Sequence, residues 1–154
     1  MFRLFALAAA VLLAGCSPEA RAPETPFDTT SLPMPELMGH VLDPAADAVW
    51  GASGVEVTEA GERDLSPQTP EAWETVANAA AVVAESGNLL LLPGRNPGEE
   101  RWVASAREMT RLGVQIRDAA DRRDKQAVFD LGGQLYTACV SCHDVYMPQG
   151  SPLK

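Results

Sequence analysis

The sequence predicts an all-α protein, built as an antiparallel four-helix bundle. Apolar residues recur at helical spacing in four separate segments, and runs with the alternating pattern of β-strands are nearly absent. The four segments have lengths that suit antiparallel packing, in which each helix buries its apolar stripe against its neighbours.

The first two predicted helices are marked by proline and glycine as well as by apolar spacing. The first runs from about residue 35 to residue 53, and Pro44 should kink it, because the proline ring clashes with the carbonyl four residues earlier. The second opens at Thr69 as N-cap, with proline at its first position, and should end near Ser86, before Gly87-Asn88. The inward stripe of the first helix consists of Met38, Val41, Ala45 and Val49.

The last two predicted helices carry long apolar stripes, and the three tryptophans of the chain are expected in the core. The third helix starts in the stretch NPGEERW, where Asn96 can cap it and Glu99 can bond back. The fourth begins near Asp124, and Gly132-Gly133 inside it indicates the close approach of another helix or of a cofactor. The stripes are Trp102, Ala106, Met109, Leu112 and Ile116 in the third helix, and Val128, Leu131, Leu135, Ala138 and Cys142 in the fourth.

The stretch MFRLFALAAAVLLAGC at the start of the chain has the pattern of a bacterial export signal. Arg3 provides the basic region, and the apolar run from Leu4 to Ala14 is too short to span a bilayer, which indicates a cleaved signal of residues 1–15. The ending LLAGC resembles a lipobox, in which Cys16 becomes the lipidated first residue of the mature chain. The alternative is an ordinary signal peptide cut near Ala14, which would leave Cys16 as a free thiol.

Residues 16–33 are predicted to be a lipid-anchored, proline-rich tether, and residues 34–154 a single helical domain. The tether has four prolines and few large apolar side chains, too few to build a core. Lipid on Cys16 would hold the protein at the membrane in the periplasm, and Ser17 rather than aspartate after it favours the outer membrane. The net charge of −9 excludes nucleic acid as a natural partner, but leaves open whether the acidic surface serves a basic partner or only solubility.

The stretch TACVSCHDVY near the end of the chain contains the spacing C-x-x-C-H, at Cys139, Cys142 and His143. This is the attachment pattern of a c-type haem, in which two thiols bind the porphyrin covalently and the histidine ligates the iron. On a helix the three residues lie at i, i+3 and i+4, so one porphyrin can meet them all. Tyr136, one turn earlier, either lies along the porphyrin or is an ordinary half-buried side chain.

Zinc binding and thiol redox chemistry are the alternatives for these cysteines. Zinc would need a further ligand, and the only other histidine, His40, lies about a hundred residues upstream. A thioredoxin-like C-x-x-C follows a strand, whereas the residues before Cys139 have a helical pattern. If Cys16 carries lipid and the other two cysteines carry haem, no cysteine remains for a disulfide. One covalent haem c is therefore the preferred interpretation.

A four-helix bundle with C-x-x-C-H near the end of its last helix resembles the cytochrome c′ family, including its low-spin, methionine-ligated relatives, over about residues 34–147. The resemblance implies that Cys139 and Cys142 bind haem covalently and that His143 is the proximal ligand. It also permits a homodimer. One position departs from the pattern: the family often has a basic residue four positions after the proximal histidine, and this chain has Met147 there.

By the same resemblance, the distal ligand of the iron comes from the first helix. Methionine there implies a six-coordinate iron suited to electron transfer, and an apolar residue implies a five-coordinate iron that binds small gases. Met38 is the preferred ligand because it lies on the apolar stripe. The other candidates are Met34, which precedes Pro35 at the helix start, and His40, which lies about 200° further round the helix and faces away from Met38.

The sequence therefore predicts a membrane-tethered periplasmic c-type cytochrome that carries electrons through a haem ligated by His143 and Met38, with no catalytic turnover of its own. Its partners would be redox proteins whose identity the sequence does not specify. The alternative is a five-coordinate haem protein that binds nitric oxide or carbon monoxide. A haem-free lipoprotein that binds zinc is a third interpretation.

Overall fold

The computed structural model describes residues 28–29 and 31–147, and this part of the chain is mainly helical. The first helix has three consecutive pieces: α1 (Met34–Leu37), a π-helical turn (Met38–Leu42) and α2 (Asp43–Trp50). A β-hairpin follows, and then three long helices: β1 (Val55–Thr58), β2 (Gly61–Asp64), α3 (Pro70–Leu90), α4 (Glu100–Asp121) and α5 (Lys125–Tyr146). The prediction of four helical segments in a mainly helical domain is confirmed.

Several sequence predictions concern residues outside the described range. These are the signal peptide, the lipidated Cys16, residues 17–27 of the tether, and the end of the predicted domain, residues 148–154. Within the described range, no helix combines the length and the apolar character needed to cross a membrane.

The described end of the predicted tether lies on the loop between α3 and α4. The hydroxyl of Thr29 donates a hydrogen bond to the carbonyl of Pro93 at 3.3 Å, and the guanidinium of Arg95 donates one to the carbonyl of Leu32 at 3.1 Å. The side chain of Leu32 also packs against the core. The folded domain therefore includes residues just before residue 34.

The first helix changes to π geometry just before Pro44. In this turn the N–H of Asp43 bonds to the carbonyl of Met38, five residues back, where an α-helix would use the carbonyl four residues back. Pro44 has no N–H, and in a regular helix its ring would collide with the carbonyl four residues earlier. The distortion expected at Pro44 therefore takes the form of a widened turn, and the helix continues to Trp50.

The π turn also changes which residues of the first helix face the core. Leu37 and Leu42 are both buried, because a turn closed over five residues brings them to the same side. Met38 and Val41, which the sequence places on the inward stripe, are half-buried at the margin of the core. The predicted stripe assumes the regular α-helical spacing of residues, and this spacing does not hold across the π turn.

Helix α3 begins as the sequence predicts and ends later. The hydroxyl of Thr69 accepts a hydrogen bond from the N–H of Ala72 at 3.2 Å, as an N-cap does. The helix then runs through Gly87 to Leu90, so the predicted end near Ser86 is wrong. Gly87 serves helix packing instead of termination, because a Cβ there would lie 2.6 Å from the carbonyl oxygen of Ala106 on α4.

Helix α4 has the predicted buried stripe, but its start differs from the prediction. In α5, only Val128 and Leu135 of the predicted stripe are buried, and the other three residues are half-buried. Asn96 does not cap α4; its side chain accepts a hydrogen bond from the N–H of Gly98 within the loop, and α4 begins at Glu100. Asp124 does cap α5, by accepting a hydrogen bond from the N–H of Ala127 at 3.0 Å. Thus the side-chain cap predicted for α3 is confirmed, the cap predicted for α4 is wrong, and α5 begins beside Asp124 as predicted.

The β-hairpin is an element that the sequence analysis misses. Its two strands pair in antiparallel register from Val55 opposite Asp64 to Thr58 opposite Gly61, and their residues are exposed. The alternation in VEVT is a short strand pattern, but neither face of the hairpin is buried, so it contributes nothing to the core. Lys125 at the start of α5 reaches Asp64 at 2.9 Å and links the hairpin to the helices.

Candidate functional site

The three residues of the C-x-x-C-H motif lie together on the last two turns of α5. Cys139, Cys142 and His143 occupy positions i, i+3 and i+4 of one helix, and all three are half-buried. Neither cysteine is in a disulfide. Two thiols and an imidazole are therefore available side by side at this end of α5.

The thiol of Cys139 is largely buried. The residue packs against the main core, and burial, with smaller contributions from the charges of Cys142 and Asp43, raises the pKa of its thiol to about 11. Asp43 is the first residue of α2. At neutral pH Cys139 is a neutral thiol.

The thiol of Cys142 faces α4. Burial raises the pKa of this thiol, while a hydrogen bond with Ser105 and the positive charge of Arg101 act in the opposite direction. Arg101 also donates a hydrogen bond to the carbonyl of Ser141 at 3.5 Å. Cys139 therefore packs against the main core, and Cys142 lies beside Ser105 on α4.

The end of α5 after His143 is held by a contact that the sequence analysis misses. The hydroxyl of Tyr146 donates a hydrogen bond to the carboxylate of Glu99 at 2.8 Å, which raises the pKa of the tyrosine. The ring of Tyr146 meets the ring of Trp102 edge to face, with 4.9 Å between the centroids. Glu99 and Tyr146 are 47 positions apart, so no local pattern could have paired them.

The three candidates for the distal ligand occupy different environments. Met34 is the first residue of α1, and Met38 is the first residue of the π turn; both are half-buried and pack against the core. His40 is exposed, and its Nε2 lies 3.0 Å from the carboxylate of Glu36. His40 therefore faces solvent, as expected for a residue that points away from Met38.

The first helix and α5 touch at one end of their interface and separate toward the other. The indole N–H of Trp50 donates a hydrogen bond to the carbonyl of Gly132 at 3.0 Å. In contrast, no Cα of the π turn lies within 8 Å of a Cα of α5. The backbones of the first helix and α5 are therefore further apart at Met38 than at Trp50.

The two adjacent glycines of α5 have different surroundings. A Cβ on Gly132 would lie 3.5 Å from the indole of Trp50, so this glycine marks the approach of the first helix. A Cβ on Gly133 would meet nothing within 4 Å. Tyr136 is 60% exposed, and its ring meets that of Trp50 edge to face at 5.9 Å.

No group of three or more histidine, cysteine, aspartate or glutamate side chains is placed to hold a metal ion within residues 28–29 and 31–147. Comparison of the chain with protein-family models, with curated proteins and with solved structures found no match.

Proposed function

We propose that this protein is a membrane-tethered periplasmic c-type cytochrome, similar to the cytochrome c′ family, that carries electrons through one covalent haem c. Cys139 and Cys142 would hold the porphyrin through thioether bonds, and His143 would ligate the iron. When bound, the haem supplies an iron that accepts and releases one electron. The observation that carries the proposal is the presence of two free thiols and an imidazole on adjacent turns of α5, with Cys139 packed against the core of the domain.

The donor set fits a c-type haem better than it fits a zinc ion. A structural zinc site needs four ligands around one point, whereas a c-type haem needs two thiols and one or two iron ligands. Here Cys139 packs against the core while Cys142 hydrogen-bonds with Ser105, and among the described residues no three histidine, cysteine, aspartate or glutamate side chains are placed to hold a metal ion. The core residues that border Cys139 also supply the apolar surroundings that a porphyrin requires.

Two observations support an antiparallel arrangement of the first helix and α5, as in a four-helix bundle. Trp50 donates a hydrogen bond to Gly132, and the charge of Asp43 makes a small contribution to the raised pKa of the Cys139 thiol. Asp43 lies two helical turns before Trp50, and Cys139 lies two turns after Gly132. Residues that precede Trp50 therefore come level with residues that follow Gly132.

Met38 is the proposed sixth ligand of the iron. From the level of Asp43 and Cys139, just over one further turn along each helix leads to Met38 and His143, which would lie on opposite sides of a haem between the two helices. A thioether sulfur can ligate iron without burying a charge. His40 is exposed on the same helix, which favours Met38 over it.

The proposed location follows from the start of the chain. A lipid on Cys16 would anchor the protein to the membrane, and the proline-rich residues after it would separate the haem domain from the lipid surface. A c-type haem on an exported chain is consistent with the periplasm. Electron exchange with redox proteins at that surface is the proposed role.

The experiment that tests the proposed function is the absorption spectrum of the exported, full-length protein in both oxidation states. A low-spin spectrum with a methionine-to-iron band supports the six-coordinate electron carrier. A high-spin spectrum with rapid carbon monoxide binding would replace it with the gas-binding alternative. A protein without haem would refute the proposal as a whole.

A further inference from the structure

An exposed groove with aromatic walls, here called the aromatic groove, lies between α5 and the end of the first helix. It has a volume of about 510 Å³. Two of its aromatic side chains, Phe129 and Tyr136, are 52% and 60% exposed, although large apolar side chains are normally covered. Its lining includes Trp50, Ser53, Phe129, Asp130, Gly133 and Tyr136.

Gly133 leaves the floor of the aromatic groove open. A glycine inside a helix lowers the stability of the helix by about 1 kcal/mol relative to alanine, so a close contact that only glycine can accommodate is expected beside it. The neighbouring Gly132 has such a contact with Trp50. Apart from the adjacent backbone of α5 itself, no atom of the described residues lies within 4 Å of a Cβ built on Gly133. The missing side chain leaves room for a second molecule to approach the backbone of α5.

Carboxylates lie on both helices that form the aromatic groove, and one of them, Asp130, is part of its lining. Asp130 lies on α5, while Asp43 and Asp47 lie on α2, two turns and one turn before Trp50 and on the same side of that helix. Among the described residues, none of these three carboxylates forms an ion pair. Lys125, near Asp130 in sequence, is engaged with Asp64 instead.

The aromatic groove begins where the proposed haem would end. Tyr136 lies one turn before Cys139 on α5, so a porphyrin attached at Cys139 would come close to its ring. Phe129 precedes Cys139 on α5 by about 15 Å along the helix axis. This distance is beyond the reach of a porphyrin whose iron is at His143. The groove around Phe129 would therefore stay open after haem attachment.

We propose that the aromatic groove is the docking surface for a basic redox protein. This inference rests on the proposed function. The partner would place an apolar patch against Phe129 and Tyr136, and lysine or arginine side chains against Asp47 and Asp130. An apolar centre with a charged rim allows opposite charges to steer the encounter while the apolar contact holds the complex. Docking at Tyr136 would also bring the partner close to the edge of the proposed haem.

The test is the rate of electron transfer from the reduced, haem-loaded full chain to a small cationic cytochrome c, followed by stopped-flow absorbance at several salt concentrations. Asp47→Asn combined with Asp130→Asn should lower the second-order rate at low salt about tenfold and weaken its salt dependence. Glu59→Gln combined with Glu62→Gln is the matched control, because it removes the same charge from the exposed hairpin. The control should change the rate less than about twofold.

A third variant tests the apolar part of the surface. Phe129→Ser should lower the rate while leaving the haem content and the spectrum unchanged. Equal losses from the two double substitutions would show that only net charge matters, and would overturn the proposal. A concentration-dependent dimer that Phe129→Ser dissociates would overturn it as well, because the groove would then be covered by a second copy of the chain.

Failure of the proposed function is distinguishable from failure of this inference. If the exported chain carries no covalent haem, the proposed function is refuted, and the surface is tested by carbodiimide cross-linking to the same cationic protein. Cross-links at Asp47 and Asp130 would support the docking surface, and cross-links spread equally over the hairpin carboxylates would overturn it.

Discussion

The indole N–H of Trp50 donates a hydrogen bond to the backbone carbonyl of Gly132 at 3.0 Å, and this contact joins the first helix to α5. The two residues are 82 positions apart in the chain. From this contact the helices separate toward Met38 and His143, where the π turn and α5 have no Cα atoms within 8 Å of each other. The backbones of the two helices are therefore further apart at the π turn than at Trp50.

Replacing both Cys139 and Cys142 with alanine should abolish covalent haem. Only thioether bonds retain haem through extraction with acidified acetone, so the extracted double variant should show no haem absorbance. The chain should also unfold at lower denaturant concentration than the wild type, because a cofactor bound only to the folded state stabilises that state. Haem retained after extraction of the double variant would contradict the attachment site.

The variant Cys16→Ser should prevent lipid attachment without affecting the haem. The protein should then appear in the aqueous phase of a detergent separation, or accumulate uncleaved, because the modified thiol is missing. The wild type should appear in the detergent phase. Aqueous partitioning of the wild type would show that Cys16 carries no lipid.

The variant Met38→Ala should convert low-spin iron to high-spin iron and lower the reduction potential, because a thioether ligand favours ferrous iron. It should also open the iron to carbon monoxide. Absorption spectra and a redox titration measure these changes. Met34→Ala is the matched control, since Met34 is half-buried on the same helix, and it should leave the spectrum nearly unchanged.

Substitution of two glycines by alanine should have opposite effects on stability. Gly113→Ala should lower the free energy of unfolding by roughly 1 to 3 kcal/mol, because overpacking a tight helix contact forces the backbones apart. A Cβ on Gly113 would lie 2.6 Å from the backbone nitrogen of Ala84 on α3. Gly133→Ala should raise the free energy of unfolding by up to about 1 kcal/mol, because alanine favours the helix and its Cβ has free space there.

Urea unfolding of both glycine variants, in the same haem state as the wild type, measures these changes. An unchanged free energy of unfolding for Gly113→Ala would show that α3 and α4 are not in close contact at Gly113. If Gly133→Ala is strongly destabilising, an unseen contact occupies the space beside it.

The haem-free chain should lose stability between about pH 9 and about pH 11 because of Cys139. Burial raises the pKa of this thiol from its ordinary value of 9.0 to about 11. A raised pKa means that the unfolded chain loses its proton first, so the contribution to stability is present below pH 9 and is lost as the pH rises through 11. The loss should amount to roughly 2 to 3 kcal/mol.

Urea unfolding of the haem-free wild type and of Cys139→Ala, across this pH range, isolates the contribution of the thiol. Only the pH-dependent part of the difference matters, because the substitution also changes packing at every pH. A difference that is constant from pH 8 to pH 11 would show that the Cys139 thiol is not buried in the folded chain.

The sequence indicated correctly those features that depend on residues only a few positions apart in the chain. The N-caps Thr69 and Asp124 accept hydrogen bonds from backbone groups three residues away, so each is readable from a few adjacent letters. The same holds for the spacing of Cys139, Cys142 and His143, which any helix would bring to adjacent turns. Gly87 shows the limit, because its role depends on α4 and not on its neighbours in the chain.

The sequence by itself determined the four helical segments and the set of chemical groups at the end of α5, because helical periodicity and motif spacing are properties of adjacent residues. Only the tertiary structure decided the contacts of those groups: Cys139 packs against the main core, and Tyr146 is bonded to Glu99. It also decided that the first helix widens before Pro44 and leaves Met38 half-buried. The physical reason is that packing between distant segments selects among helix geometries that the local sequence allows almost equally.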